Sequence, residues 1–138
     1  MQITSRLTIA VHTLLLIERF CGERKVTSDL IAASVQVNPV VIRRILLQLK
    51  KAGMIRIARG SGGASLCVPA DQITLLDICR AVDCLGEAGM FRFHENPNRD
   101  CPVGRRIHAV LDGRLAAAQA AFEASLASVS LYMLADEL

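Results

Sequence analysis

Apolar residues recur at helical spacing through most of this chain, and the clearest instance runs from Asn38 to Lys51. Ile42, Ile45, Leu46 and Leu49 follow one another at steps of three, one and three, which is one face of a helix. Asn38 suits the N-cap, because its side-chain oxygen can take a free N–H of the first turn. Pro39 suits the first helical position, where no N–H is needed. Gly53 supplies the stop, since it takes the left-handed conformation at no steric cost. Arg43, Arg44, Gln48, Lys50 and Lys51 fall largely outside the apolar stripe, so the helix has an oily back and a cationic, donor-rich front. Upstream, Thr27 and Ser28 cap a shorter helix over 29–35, and Val35-Gln36-Val37 connects the two. A short helix, a tight turn and a second, basic helix is the helix-turn-helix pattern, although this turn lacks the glycine often found there. Ahead of it, Ser5 to Phe20 reads as a first helix capped by Thr4 and Ser5. It carries Ile9, Leu14, Leu16, Ile17 and Phe20, too much apolar surface for an exposed helix, and is expected to be mostly buried.

Downstream the period shortens. Residues 54–58 alternate in part as a strand does, and 64–68 can return beside them. Between them stands Arg59-Gly60-Ser61-Gly62-Gly63. A hairpin tipped by an arginine and three glycines is a wing: the glycines let backbone approach a phosphate chain, and the guanidinium can reach a phosphate or a narrow minor groove. A nucleotide-binding glycine loop is excluded, because no Gly-Lys-Ser/Thr follows and no strand-to-helix crossover surrounds it. Thr74 then caps a fourth helix over 75–82, with Asp77 placed to complete a capping box. Residues 86–100 are a loop. Pro102 opens a helix to about Ala127, where Ile107, Leu111, Leu115, Ala118, Phe122 and Leu126 form one stripe among many alanines. Its 26 residues span about 39 Å, longer than a compact winged domain covers, so this stripe is read as a dimer interface. Ser130 caps a last short helix over 131–138, with Leu131, Leu134 and Leu138 folding back on the body. The expected fold is mainly α. Residues 1–83 form a winged helix-turn-helix domain with a small two-stranded β wing. A loop spans 84–101, and 102–138 hold a long C-terminal dimerisation helix and a short final one.

Charge sharpens this picture. Residues 1–68 carry a balance of +7 and residues 69–138 one of −4. Nucleic-acid affinity rests on neutralising phosphates, so the local surplus favours a DNA partner. With one Tyr, four Phe and no Trp, stacking platforms for single strands are scarce, and duplex DNA is the better target. No apolar run approaches the roughly 18 residues of a membrane span, and the N-terminal segment reads as a folded helix, not a signal peptide. The expectation is a cytoplasmic protein with no membrane partner. Five cysteines at positions 21, 67, 79, 84 and 101 make neither a disulfide scaffold nor a zinc pattern. Cys67 and Cys79 are read as packing residues, and His12 and His94 as structural. No clustered nucleophile and base is present, so an enzyme is not expected.

The opening Met-Gln-Ile-Thr-Ser-Arg-Leu-Thr-Ile-Ala-Val, the Arg59–Gly63 tip, Ile73-Thr74-Leu75-Leu76-Asp77-Ile78, Ala81-Val82-Asp83 and Ser130-Leu131 together resemble the Rrf-two family. These are bacterial winged-helix regulators that include iron–sulfur and nitric-oxide responsive repressors. The resemblance implies a homodimer joined through 102–127 and binding to palindromic operators, one recognition helix per half-site. Cluster-binding members place three cysteines in the loop before the dimerising helix. Here only Cys101 falls near that place, with Cys84 at the loop's far edge, and His108 lies about 10 Å up the helix. No cofactor is expected, and no metal or iron–sulfur cluster. Cys101 is instead a candidate redox sensor, because a helix N-terminus favours a thiolate. The function read from the chain is a sequence-specific, homodimeric DNA-binding repressor. Its contacts would come from Arg6, Asn38, Val40, Val41, Arg43, Arg44, Gln48, Lys50, Lys51, Arg59, Gly60 and Ser61. The rival reading is a winged-helix protein-interaction module without DNA binding, and the charge of the first half favours DNA.

Overall fold

Among the described residues, 4–60 and 62–138, the computed structural model forms six α-helices and one β-hairpin. In chain order these are α1 (Arg6–Arg19), α2 (Ser28–Val35), α3 (Pro39–Lys51), β1 (Ile55–Ile57), β2 (Ala64–Leu66), a 3-10 turn (Ala70–Gln72), α4 (Leu75–Ala81), α5 (Pro102–Ala127) and α6 (Leu131–Asp136). The fold is a winged helix with a long C-terminal helix.

The core is where the sequence stripes meet. Leu14 and Ile17 of α1, Ile31 of α2, and Ile42, Ile45 and Leu49 of α3 are sealed from solvent together with Ile73, Ile78 and Leu131. Burying each such side chain contributes about 1.5–3 kcal/mol. Local signals set the boundaries. At the end of α3, Gly53 (φ 77°) donates its N–H to Lys50 O at 3.0 Å and Met54 donates to Leu49 O at 3.1 Å. That is a Schellman stop, and Met54 packs into the core beside Leu49. At the start of α4 the capping box is complete: Thr74 Oγ1 accepts the Asp77 N–H at 3.1 Å, and Asp77 Oδ2 accepts the Thr74 N–H at 2.9 Å. The first helix starts differently from expectation. Ser5 makes no side-chain cap, and Thr8 Oγ1 instead donates to Ser5 O at 2.9 Å.

The wing is a two-stranded antiparallel sheet in the register Ile55–Leu66, Arg56–Ser65 and Ile57–Ala64. Its strands are shorter than the alternation suggested, because the backbone leaves the ladder for the glycine tip. Gly63 anchors the wing to the body. It has φ +79°, a Cβ there would stand 2.7 Å from Val26 N, and the next residue, Ala64, donates its N–H to Val26 O at 2.9 Å. Gly63→Val should therefore strain this junction by about 1–3 kcal/mol, read as a Tm several degrees lower in a thermal melt.

The C-terminus is woven back into the body. Leu75 N–H donates to Val129 O at 2.9 Å, and Leu131 N–H to Ile73 O at 2.7 Å. Leu131 is buried and Ser130 Oγ caps α6 through the Met133 N–H. Leu138, expected to fold back with it, is 79% exposed.

Three further expectations are corrected. The first helix buries only Ala10, Thr13, Leu14 and Ile17. Leu7, Val11, Leu15, Leu16 and Phe20 line an open apolar groove of about 600 Å³ with Leu75, Leu134 and Leu138, since α1 is covered by the core on one side only. Cys67 is exposed, because it alternates with Leu66 and Val68, which pack against the core, and so faces the other way. Cys79 is buried in the core as read, but it is also joined to Cys84 by a disulfide, a pairing that their spacing did not suggest. No single helix among the described residues is long and apolar enough to cross a membrane.

Candidate nucleic-acid interface

The geometry of the α2–α3 unit follows from three caps. Thr27 Oγ1 accepts the Leu30 N–H at 3.3 Å and starts α2. Gln36 ends it in the left-handed conformation (φ 62°, ψ 45°), with its N–H on Ala32 O at 2.9 Å. The missing turn glycine is thus replaced by a glutamine, whose side-chain amide also donates to Ala33 O at 2.7 Å. The left-handed backbone costs about 1–2 kcal/mol in an L-residue, and these hydrogen bonds offset it. Asn38 Oδ1 then accepts the Val40 N–H at 2.8 Å and starts α3. The two helices are bent by 115°, within the range of helix-turn-helix units.

With Ile42, Ile45, Leu46 and Leu49 buried, the opposite side of α3 presents Val40, Arg43, Arg44, Lys50 and Lys51 to solvent. Val41 and Gln48 lie on its half-buried flanks. Gln48 Oε1 is enclosed without a hydrogen-bond partner, so this side chain is less freely presented than its neighbours. Asn38 is exposed, with its oxygen committed to the cap. One residue was overlooked. Leu47 is 62% exposed in the middle of the cationic face, and the steps from Val40 to Arg44 to Leu47 to Lys51 were the signal that places it there.

Beside α3 stands the wing. Arg59 and Gly60 are exposed at its tip, Gly60 with φ 69°. Ser61 lies outside the described residues. Ala58 N–H donates to Gly63 O at 3.0 Å and closes the hairpin, while Arg56 Nε donates to Ser65 Oγ at 3.1 Å. Between wing and helix runs a groove of about 480 Å³ lined by Asp29, Arg43, Leu47, Ile57 and Gly60 among others. Arg6, on the first turn of α1, sits elsewhere: its Nη1 donates to Val82 O at 3.4 Å, at the end of α4.

The long helix α5 carries the second feature. None of its residues is buried within the chain. Ile107, Leu111, Leu115, Phe122 and Leu126 are half-buried and Ala118 is exposed. The loop before it docks onto it through Gln119, whose Oε1 accepts the Met90 N–H at 3.3 Å.

Cys101 is the N-cap residue of α5, exposed and free. Its sulfur makes no full capping hydrogen bond. The backbone N–H of Gly104 and then that of Val103 nevertheless face it, and they hold its pKa below the usual thiol value. His108 Nδ1 lies 3.3 Å from Asp112 Oδ1, and its ring lies 5.3 Å from Phe93 and 6.0 Å from His94. The donor set does not fit an iron–sulfur cluster. With Cys84 in its disulfide to Cys79, Cys101 is the one free thiol between residues 84 and 108, and no group of three metal-binding side chains occurs among the described residues.

Comparison with known proteins agrees with this geometry. A family model described as "Rrf2: Iron-dependent Transcriptional regulator" matches residues 3–137. The chain is 45% identical over 130 residues to "Putative HTH-type transcriptional regulator YwnA" of Bacillus subtilis (strain 168), covering 94% of each. Among solved structures, one titled "Crystal structure of a putative DNA binding protein" has a TM-score of 0.73 at 38% identity, covering 94% of this chain and 98% of that one. T. potens IscR has a TM-score of 0.72 and covers 99% of this chain and 88% of its own, and at 19% identity it speaks for the fold alone. The chain belongs to the Rrf2, or Rrf-two, family of transcriptional regulators.

Proposed function

We propose that this regulator is a homodimeric repressor that binds a palindromic duplex, one α3 in the major groove of each half-site. The observation that carries the reading is the exposed face of α3, where Val40, Arg43, Arg44, Lys50 and Lys51 stand together beside the Arg59–Gly60 tip. Arg43 or Arg44 reads guanine edges, Val40 and Val41 meet thymine methyls, and Lys50, Lys51, Gln48 and Arg6 serve phosphates. Arg59, Gly60 and Ser61 follow the adjacent minor groove. The apolar stripe of α5 joins the two protomers. The reading includes no cofactor. A duplex selected from a random pool should shift in a gel with the intact protein, and log affinity should fall steeply with log salt. Binding that is insensitive to salt, or no selected duplex at all, contradicts the reading.

Cys101 is the sensing residue of this proposal. A hydroperoxide takes its thiolate to the sulfenic acid, and DNA binding loosens. Because its folded pKa is depressed, the thiolate persists below the pH at which an ordinary thiol protonates, and it is lost only as pH falls through that lowered pKa. At neutral pH, iodoacetamide should therefore label Cys101 ahead of the exposed Cys21 and Cys67, neither of which stands at a helix N-terminus. Peptide mass mapping over time checks the order. Equal rates at all three sites would remove Cys101 as sensor.

A further inference from the structure

We propose that Cys79 and Cys84 form a second redox site, a dithiol–disulfide couple oxidised by hydroperoxides, which locks the C-terminal end of α4. The inference rests on the DNA-binding reading for its consequence, though not for its chemistry.

The end of α4 has the same form as the end of α3. Asp83 donates its N–H to Arg80 O at 3.2 Å, and Cys84 donates to Cys79 O at 3.0 Å. Asp83 holds the left-handed position (φ 51°) usually given to glycine. In a Schellman stop, the residues making the longer bond also touch through their side chains. In α3 that pair is Leu49 and Met54. In α4 it is Cys79 and Cys84, whose Cα atoms lie 5.3 Å apart, inside the span a disulfide bridges. The helix stop therefore brings the two sulfurs within bonding range, and the bond in turn fixes the stop. Closing so short a loop removes little chain entropy, so the bond is a weak structural staple. In compartments where DNA-binding regulators work, thiols are kept reduced, and disulfides that form there are usually redox-sensing or catalytic.

The Cys84 thiolate, on the less deeply buried of these two buried residues, attacks a peroxide oxygen. The O–O bond breaks, ROH leaves with the proton released by that thiol, and Cys84 becomes a sulfenic acid. The Cys79 sulfur attacks the sulfenic sulfur, the S–O bond breaks, and hydroxide leaves with the Cys79 proton as water. Two thiols lose two electrons and the hydroperoxide gains them.

The lock has an output. Val82, between Asp83 and the helix, presents the carbonyl that receives Arg6 Nη1 at 3.4 Å. A fixed helix end keeps Arg6 on that carbonyl. A reduced, more mobile end releases it toward a phosphate.

The test uses the full chain with Cys21→Ser, Cys67→Ser and Cys101→Ser, all at exposed positions, so that only the pair remains. Hydrogen peroxide should remove two hydrogens from the peptide holding Cys79 and Cys84, with no stable added oxygen. Hydrogen exchange at the Cys84 N–H should slow about tenfold or more on oxidation. The reduced protein should bind its selected duplex about three- to tenfold more tightly than the oxidised one, the worth of a phosphate contact, and Arg6→Ala should abolish that difference. Stable addition of oxygen without a disulfide, or unchanged exchange, overturns the couple. Equal DNA affinity in both states overturns its link to Arg6. Failure of both states to bind any duplex overturns the DNA-binding reading, while mass and exchange still decide the couple.

Discussion

Leu115→Arg is expected to yield a folded monomer whose operator affinity falls about 10²–10⁴-fold, the advantage that linking two reading heads confers. The reason lies in α5. A helix of 26 residues with no buried residue leaves its apolar stripe half open in the single chain. Leu115 stands at the middle of that stripe, with Leu111 one turn before it and Ala118 one turn after. In the proposed dimer these positions close against a second copy, and an arginine there would lose its water without gaining a partner, a cost of several kcal/mol. In the monomer the same arginine stays wet, so the fold should survive, and circular dichroism checks that it does. Light scattering gives the mass. A variant that stays dimeric would move the interface to another surface, the open groove along α1 being the first to examine.

Arg44→Ala should cost the next most. A bidentate arginine–guanine pair is worth about 1–3 kcal/mol of discrimination. Two symmetry-related heads lose it together, so affinity for the selected duplex should drop by two to four powers of ten, with relaxed preference at one position of each half-site. Lys50→Ala should behave differently. It should weaken all duplexes alike and lower the salt slope by about one for each phosphate left without its lysine. Arg59→Ala should resemble Lys50→Ala in kind, with any preference confined to the flanking minor groove. Titrating each variant against matched and mutated duplexes at two salt concentrations separates base reading from phosphate anchoring. An Arg44→Ala variant with unchanged affinity and preference would shift the reading to Arg43.

Much of this head was legible in the chain because its signals are local. Asn38, Pro39, the stripe from Ile42 to Leu49 and Gly53 each act within one or two turns, and the helix forms at those bounds. Thr74 and Asp77 did the same for α4. The turn was harder, since no rule of composition requires a left-handed Gln36; the packing of α2 against α3 places it there. Leu47 was missed because the front of the helix was read for charge and donors alone, although the stripe from Ile42 to Leu49 already left it outside. Residues of α1 taken for core face a groove that the single chain leaves open, and a sequence does not tell an apolar face covered by its own chain from one left bare. The Cys79–Cys84 pairing was invisible to spacing rules because it follows from the Schellman geometry of the helix end, where residues five apart meet.

In the proposed complex two cationic heads, joined through α5, occupy one duplex together. Its most direct test is the mass of the protein–DNA complex, by light scattering or native mass spectrometry, on a selected duplex long enough for two half-sites one helical turn apart. Two chains per duplex are expected, bound as one unit with no populated complex containing a single chain. A complex of one chain per duplex, or a dimer in which only one head touches DNA, would contradict it.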